Sequence, residues 1–349
     1  MLRRPEAAAP RPAAISRWLI AVAALIFAMV VVGGITRLTE SGLSIVRWEP
    51  VSGAVPPLSQ DQWQAEFDAY RATPQYRQVN RGMTLADFKQ IYFWEYVHRL
   101  LGRLIGLAFA LPLLWFWWRR AIPAGEGWKL GGLLALGALQ GAIGWWMVAS
   151  GLVERPEVSH VRLAIHLLTA LAIFGAMIWV ALDMRALARG GEPGQRAPLL
   201  AVWTLSVLFL QFLFGAYVAG LGAGYAFNSW PLMGDELFPS ETPMSSPFMG
   251  NFADNPVVVQ FVHRWLAFVA AGLVLSLAVA AYRAGRRGHG LVLAAAVIFQ
   301  VQLGILTLLT GVEIRVAAAH QAMAALLLAA VVATAHALRE APAAKPAAA

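Results

Sequence analysis

The chain has 349 residues, 59% of them hydrophobic and only 13% charged, a balance foreign to a soluble globular domain. It contains no cysteine, which excludes disulfides, thiolate ligands, iron–sulfur clusters and covalently attached c-type haem. The net charge of +8 invites a nucleic-acid reading, but its placement along the chain points to a membrane and not to nucleic acid.

Crossing roughly 30 Å of hydrocarbon takes about 20 apolar residues. Eight runs meet that length, near 17–36, 89–118, 128–150, 159–182, 198–220, 256–282, 289–311 and 316–338. Residues 1–16, rich in Ala and Pro, and residues 340–349 read as disordered tails. The run from Trp18 to Ile35 is long for a signal-peptide core and ends in no clear cleavage site, so it reads as a retained helix. With the first helix starting in the cytoplasm, the inside segments hold Arg3, Arg4, Arg11 and Arg17; Arg119, Arg120 and Lys129; Arg185, Arg189 and Arg196; Arg283, Arg286 and Arg287; and Arg339 with Lys345. The loop near 221–255 then lies outside and carries Asp235, Glu236, Glu241 and Asp254 without one Lys or Arg. This is the positive-inside bias. It predicts a multi-pass protein of the inner (cytoplasmic) membrane with both termini in the cytoplasm.

The runs divide into two four-helix halves, 17–190 and 191–339, joined at Arg189-Gly190-Gly191-Glu192-Pro193-Gly194. Glu95-Tyr96-Val97-His98-Arg99 resembles Gln260-Phe261-Val262-His263-Arg264. Gln140 to Gly144 resembles Gln300 to Gly304, each with a glycine seven residues on (Gly151, Gly311), and His166 resembles His320. An even number of spans per half makes the repeats parallel. The expected fold is therefore an all-α polytopic membrane protein, eight transmembrane helices in two parallel four-helix bundles related by a pseudo-two-fold axis. Segments 37–88 and 221–255 are long enough to act as lids, and Asp61 to Tyr70 reads as a short surface helix.

His98, His166, His263 and His320 open the second, fourth, sixth and eighth runs. All four then lie near the outer ends of their helices, two per half. An imidazole in a bilayer needs a partner. An interhelical hydrogen bond is the structural alternative for any one of them. Two repeat-equivalent pairs favour two bis-histidine sites for haem, which needs two axial nitrogens and an apolar slot. Zinc wants four close ligands. Arg99, Arg264, Arg103 and Arg162 lie beside these histidines and are candidates for propionate or substrate pairing, against the alternative of snorkelling to lipid phosphate. Glu95 lies three residues before His98, on the same helix face, where the second half has Gln260. It is a catalytic candidate, with an ion pair to Arg99 or Arg162 as the alternative. His160, His289 and His336 read as surface or interfacial residues, and the tryptophans at 115, 117, 118, 145 and 146 as an interfacial belt.

At these residues the chain resembles the haem A synthase family. The likeness rests on Gly33 to Thr39 with Ser41 to Ser44, Glu95 to Arg99, Gly144 to Leu152, Arg162 to His166, Asn228 to Met233, Gln260 to Arg264 and His320-Gln321-Ala322. Lacking the cysteine pair of some bacterial members, the chain looks like the proteobacterial and mitochondrial branch. The resemblance implies haem O as substrate, bound by His98 and His166, and a haem b held by His263 and His320 as electron relay. It implies oxidation of the C8 methyl of haem O to a formyl group by successive hydroxylations, with Glu95 as the important acid. Haem O synthase, terminal-oxidase assembly and an unknown electron donor are the implied partners, in a lipid bilayer. The competing reading is a non-catalytic dihaem cytochrome b electron carrier. It expects haems at opposite depths, and the four histidines sit near one side.

Overall fold

The computed structural model describes residues 9–50, 52–153, 155–191 and 196–339. Among the described residues eight helices are long and apolar enough to cross a membrane: α1 Pro12–Leu38, α2 Leu85–Trp118, α3 Gly127–Ala149, α4 His160–Ala188, α5 Leu199–Gly220, α6 Pro256–Arg283, α7 Arg287–Leu309 and α8 Ile314–Ala337. Several starts are written in the sequence. Pro12 opens α1 and Pro256 opens α6, where a missing N–H costs nothing. Thr84 and Asp87 form a reciprocal capping box at α2, and Ser159 and Asn255 cap α4 and α6. Large apolar side chains such as Leu107, Leu111, Trp117, Trp118 and Leu291 remain exposed along the helices, as lipid contact demands. No strand forms among the described residues.

Three boundaries differ from expectation by a helical turn or more, and the first is that α4 runs on past 182 to Ala188. Helix α1 begins at Pro12, so residues 12–16 are helical rather than tail. Helix α2 begins at Leu85, and His98 sits 13 residues inside it rather than opening it. The added turns carry charge and so fall outside any hydropathy run, yet the Thr84 cap starts the helix there. The expected tail residues 1–8 and 340–349 and the hinge residues 192–194 lie outside the described residues.

Helices α1 to α4 touch in ring order, as do α5 to α8. The halves meet where α4 packs on α5 and α8, and α1 on α8. Buried Leu19, Val22, Ile26, Leu171, Phe174, Ile178, Leu328 and Val331 form the shared core. The segment before α2 is ordered. Its helix Gln60–Arg71, close to the predicted 61–70, packs Phe67 and Tyr70 on Phe88 and Tyr92 of α2. Burial there pushes the Glu66 carboxyl above its ordinary range, against the pull of Arg47.

Candidate bis-histidine sites

Each odd-numbered helix offers a bare stretch of backbone to the histidine of the helix that follows. Gly33, Gly144, Gly215 and Gly304 all lie five residues before the ends of α1, α3, α5 and α7. A Cβ built on Gly144, Gly215 or Gly304 would stand 2.9, 3.0 or 3.0 Å from Cε1 of His166, His263 or His320. On Gly33 it would stand 3.2 Å from Nε2 of His98. Any larger residue would push the ring away, so glycine is what lets each imidazole lie against a neighbouring helix. Seven residues beyond these glycines stand Glu40, Gly151, Gly222 and Gly311, and Glu40, Gly222 and Gly311 turn left-handed at φ 53°, 61° and 64°. That turn ends the helix and sets the same register in three of the four.

The four histidines lie in the first halves of α2, α4, α6 and α8. Each lies 17 to 22 residues before the far end of its helix. His98 stands within electrostatic range of His166, and His263 within range of His320. All four histidines are intermediate in exposure as residues. Among the described residues no three His, Asp or Glu side chains gather at one point. The donor sets are pairs of imidazoles, which suits an iron porphyrin that brings four nitrogens of its own.

Three rings are steadied by glutamines. Gln140, Gln211 and Gln300 contact Nδ1 of His166, His263 and His320 at 3.1, 3.0 and 3.2 Å. Gln140 and Gln211 also donate to the backbone carbonyl of the same histidine, at 2.9 and 3.1 Å. In all three the amide oxygen is buried without a partner. An imidazole that ligates iron through Nε2 carries its proton on Nδ1 and needs an acceptor there. A half-turn of the amide supplies one, at the loss of the carbonyl bond that Gln140 and Gln211 make. The orphan oxygens therefore fit a bound haem.

The predicted acid and arginines are gathered by the segments that precede α2 and α6. Glu95 is buried, at 2% exposure. Its Oε1 accepts from Arg99 Nη2 at 2.6 Å and Nε at 3.0 Å. Its Oε2 accepts from Ser44 Oγ at 2.7 Å and from the Ile45 N–H at 2.8 Å. The ion pair with Arg99 is thus the contact formed. Arg99 also donates to the carbonyls of Ile45 and Arg47, and Arg103 to those of Glu49 and Pro50. The second half repeats the plan with opposite polarity. Gln260 donates to the carbonyls of Ala223 and Phe227, where Glu95 accepts. Arg264 donates to Phe227, Ser229 and Leu232 carbonyls and to Gln260 Oε1. Arg103 Nη1 and Arg264 Nε remain buried and unpartnered. Arg162 donates to the Trp146 carbonyl and lies 4.5 Å over its ring.

Two of the three histidines expected at the surface or an interface lie beside carboxylates. His160 Nε2 lies 3.1 Å from Asp254, and His336 Nε2 lies 3.0 Å from Asp183. Both contacts cross between the halves, which sequence distance hides. Gln211 and Gly215 were also missed as site residues. The spacing shared by Gln140–Gly144 and Gln300–Gly304 recurs in them, and that signal would have found them.

The model of a family described as cytochrome oxidase assembly protein matches residues 16–332. The heme A synthase of Rhizorhabdus wittichii is 55% identical over 97% of this chain and 98% of its own. That of Sphingopyxis alaskensis is 51% identical over 95% and 94%, and that of Rhodospirillum centenum 49% over 96% and 91%. The chain belongs to the haem A synthase family. Within this haem A synthase family member, His98 with His166 and His263 with His320 are two pairs of donors whose chemistry is compatible with haem.

Proposed function

We propose that the protein is a haem A synthase of the inner membrane, oxidising the C8 methyl of haem O to a formyl group. The observation that supports this is the repeated approach of each histidine to a glycine of the preceding helix, with buried Glu95 near His98 and buried Gln260 at the matching place among the described residues. The half spanning 17–190 takes the substrate haem between His98 and His166. The half spanning 191–339 holds haem b between His263 and His320, and when bound it supplies one-electron chemistry. Each of two hydroxylations would replace a methyl C–H by C–OH, taking one oxygen atom and passing two electrons and a proton equivalent to an external oxidant such as dioxygen, and the resulting geminal diol would lose water to leave the formyl group.

The chain's own residues position and polarise. Gly33 and Gly144 let the substrate ligands sit close to helix backbone. Arg103 Nη1 and Arg264 Nε are donors left over for propionates. Glu95, surrounded by donors, presents fixed negative charge one turn from His98, which suits stabilisation of positive charge developing at the methyl. Both termini face the cytoplasm, following the charge bias. Haem O synthase, terminal-oxidase assembly and an electron donor are the partners this chemistry requires.

The test is expression with haem O synthase in a host lacking haem A, followed by analysis of extracted haems. Haem A should appear; haem O alone would overturn the reading.

A further inference from the structure

Three of the four imidazoles are steadied by an amide, and one is not. Gln140, Gln211 and Gln300 each stand four residues before the glycine beneath the ring they contact. The matching residue before Gly33 is Met29. Its methyl lies by Gly102, one helical turn beyond His98, where a built Cβ would be 3.3 Å from Met29 Cε. A thioether offers almost nothing to an imidazole Nδ1–H. The His98 ring makes no hydrogen bond among the described residues, unlike the other three.

A hydrogen bond at Nδ1 fixes the ring of a ligating histidine and raises its basicity, and its loss typically weakens metal binding by about 10- to 100-fold. We propose that Gln140, Gln211 and Gln300 are positioning residues for the axial imidazoles, and that Met29 leaves His98 as the ligand that yields the substrate's iron to a small incoming molecule. The inference rests on the haem reading above. The substrate's iron would exchange the His98 imidazole for the lone pair of the incoming molecule, and no electron would be transferred. His166, steadied by Gln140, keeps the substrate in place. In the second half both ligands are steadied, which suits a closed relay site.

The experiment uses the full chain co-expressed with haem O synthase, purified with haem in both halves, reduced, and titrated with carbon monoxide. Optical and paramagnetic-resonance spectra report ligation and spin state. The intact protein should bind carbon monoxide at one haem only. Met29→Gln should weaken that binding about tenfold while the haem stays bound. Gln300→Met, an apolar replacement less prone to disturb folding, should give the second haem a carbon monoxide complex that it otherwise lacks. If both haems are retained and neither substitution alters carbon monoxide binding, the assignment of His98 is wrong. If the first half takes up no haem at all, the proposed function fails, and this inference falls with it.

Discussion

Gly34 faces the side-chain amide of Gln321 across the boundary between the halves, close enough that a methyl group on Gly34 would collide with it. The Gln321 amide donates to the Val30 carbonyl of α1 at 2.8 Å. Its neighbour His320 is a ligand candidate of the second site, and Gly33 beside Gly34 meets His98 of the first. One stretch of α1 therefore adjoins both clefts. Gly34→Val should push the amide off the helix and lower stability by about 1–3 kcal/mol. Thermal unfolding in detergent reads this, and an unshifted midpoint would show that the contact ties nothing together.

Glu95→Gln should keep both haem sites and lose the formyl product. The amide can still fill the pocket between Ser44 and Arg99, but it removes the negative charge. It also sets an NH₂ against one of the donors, at a stability cost of about 1–3 kcal/mol. Extracted haems, run beside wild type, decide the matter. Normal haem A would remove Glu95 from the chemistry.

His263→Ala or His320→Ala should abolish the low-spin haem b spectrum. Each replacement leaves its partner imidazole and the Gly215 or Gly304 cradle in place, so the fold should survive. An unchanged spectrum from either variant would refute the assignment of haem b to the second half.

Far from the histidines, buried Asp183 gathers Lys129 at 3.1 Å, His336 at 3.0 Å and Arg339 at 2.5 Å. The cluster joins α3 and α4 to the end of α8. Asp183→Ala would leave partly buried His336 and Arg339 without their carboxylate, while Lys129 keeps Glu126 at 2.9 Å, at a cost on the order of 3 kcal/mol. Stability should fall while haem spectra stay the same. A changed spectrum with unchanged stability would contradict a structural role.

The eight spans could be read directly because hydrocarbon thickness imposes a length on any apolar helix. The histidines and Glu95 stood out because polar groups in lipid are costly and few. The start of α2 did not stand out, since its charged first turns leave the apolar slab while the backbone stays helical. The arginines were legible as residues but not by their partners. A guanidinium beside a helix end takes whatever carbonyls the preceding segment folds against it, as Arg99 takes Ile45 and Arg47.

By itself the order of residues determined the spans, the repeated histidines and the lone carboxylate, because hydropathy and rarity are local properties. Only tertiary packing decided that Gln211 meets His263, that the Met29 methyl lies by Gly102, and that Gly34 lies under Gln321. Those contacts join side chains on different helices, and their distances depend on how the helices pack.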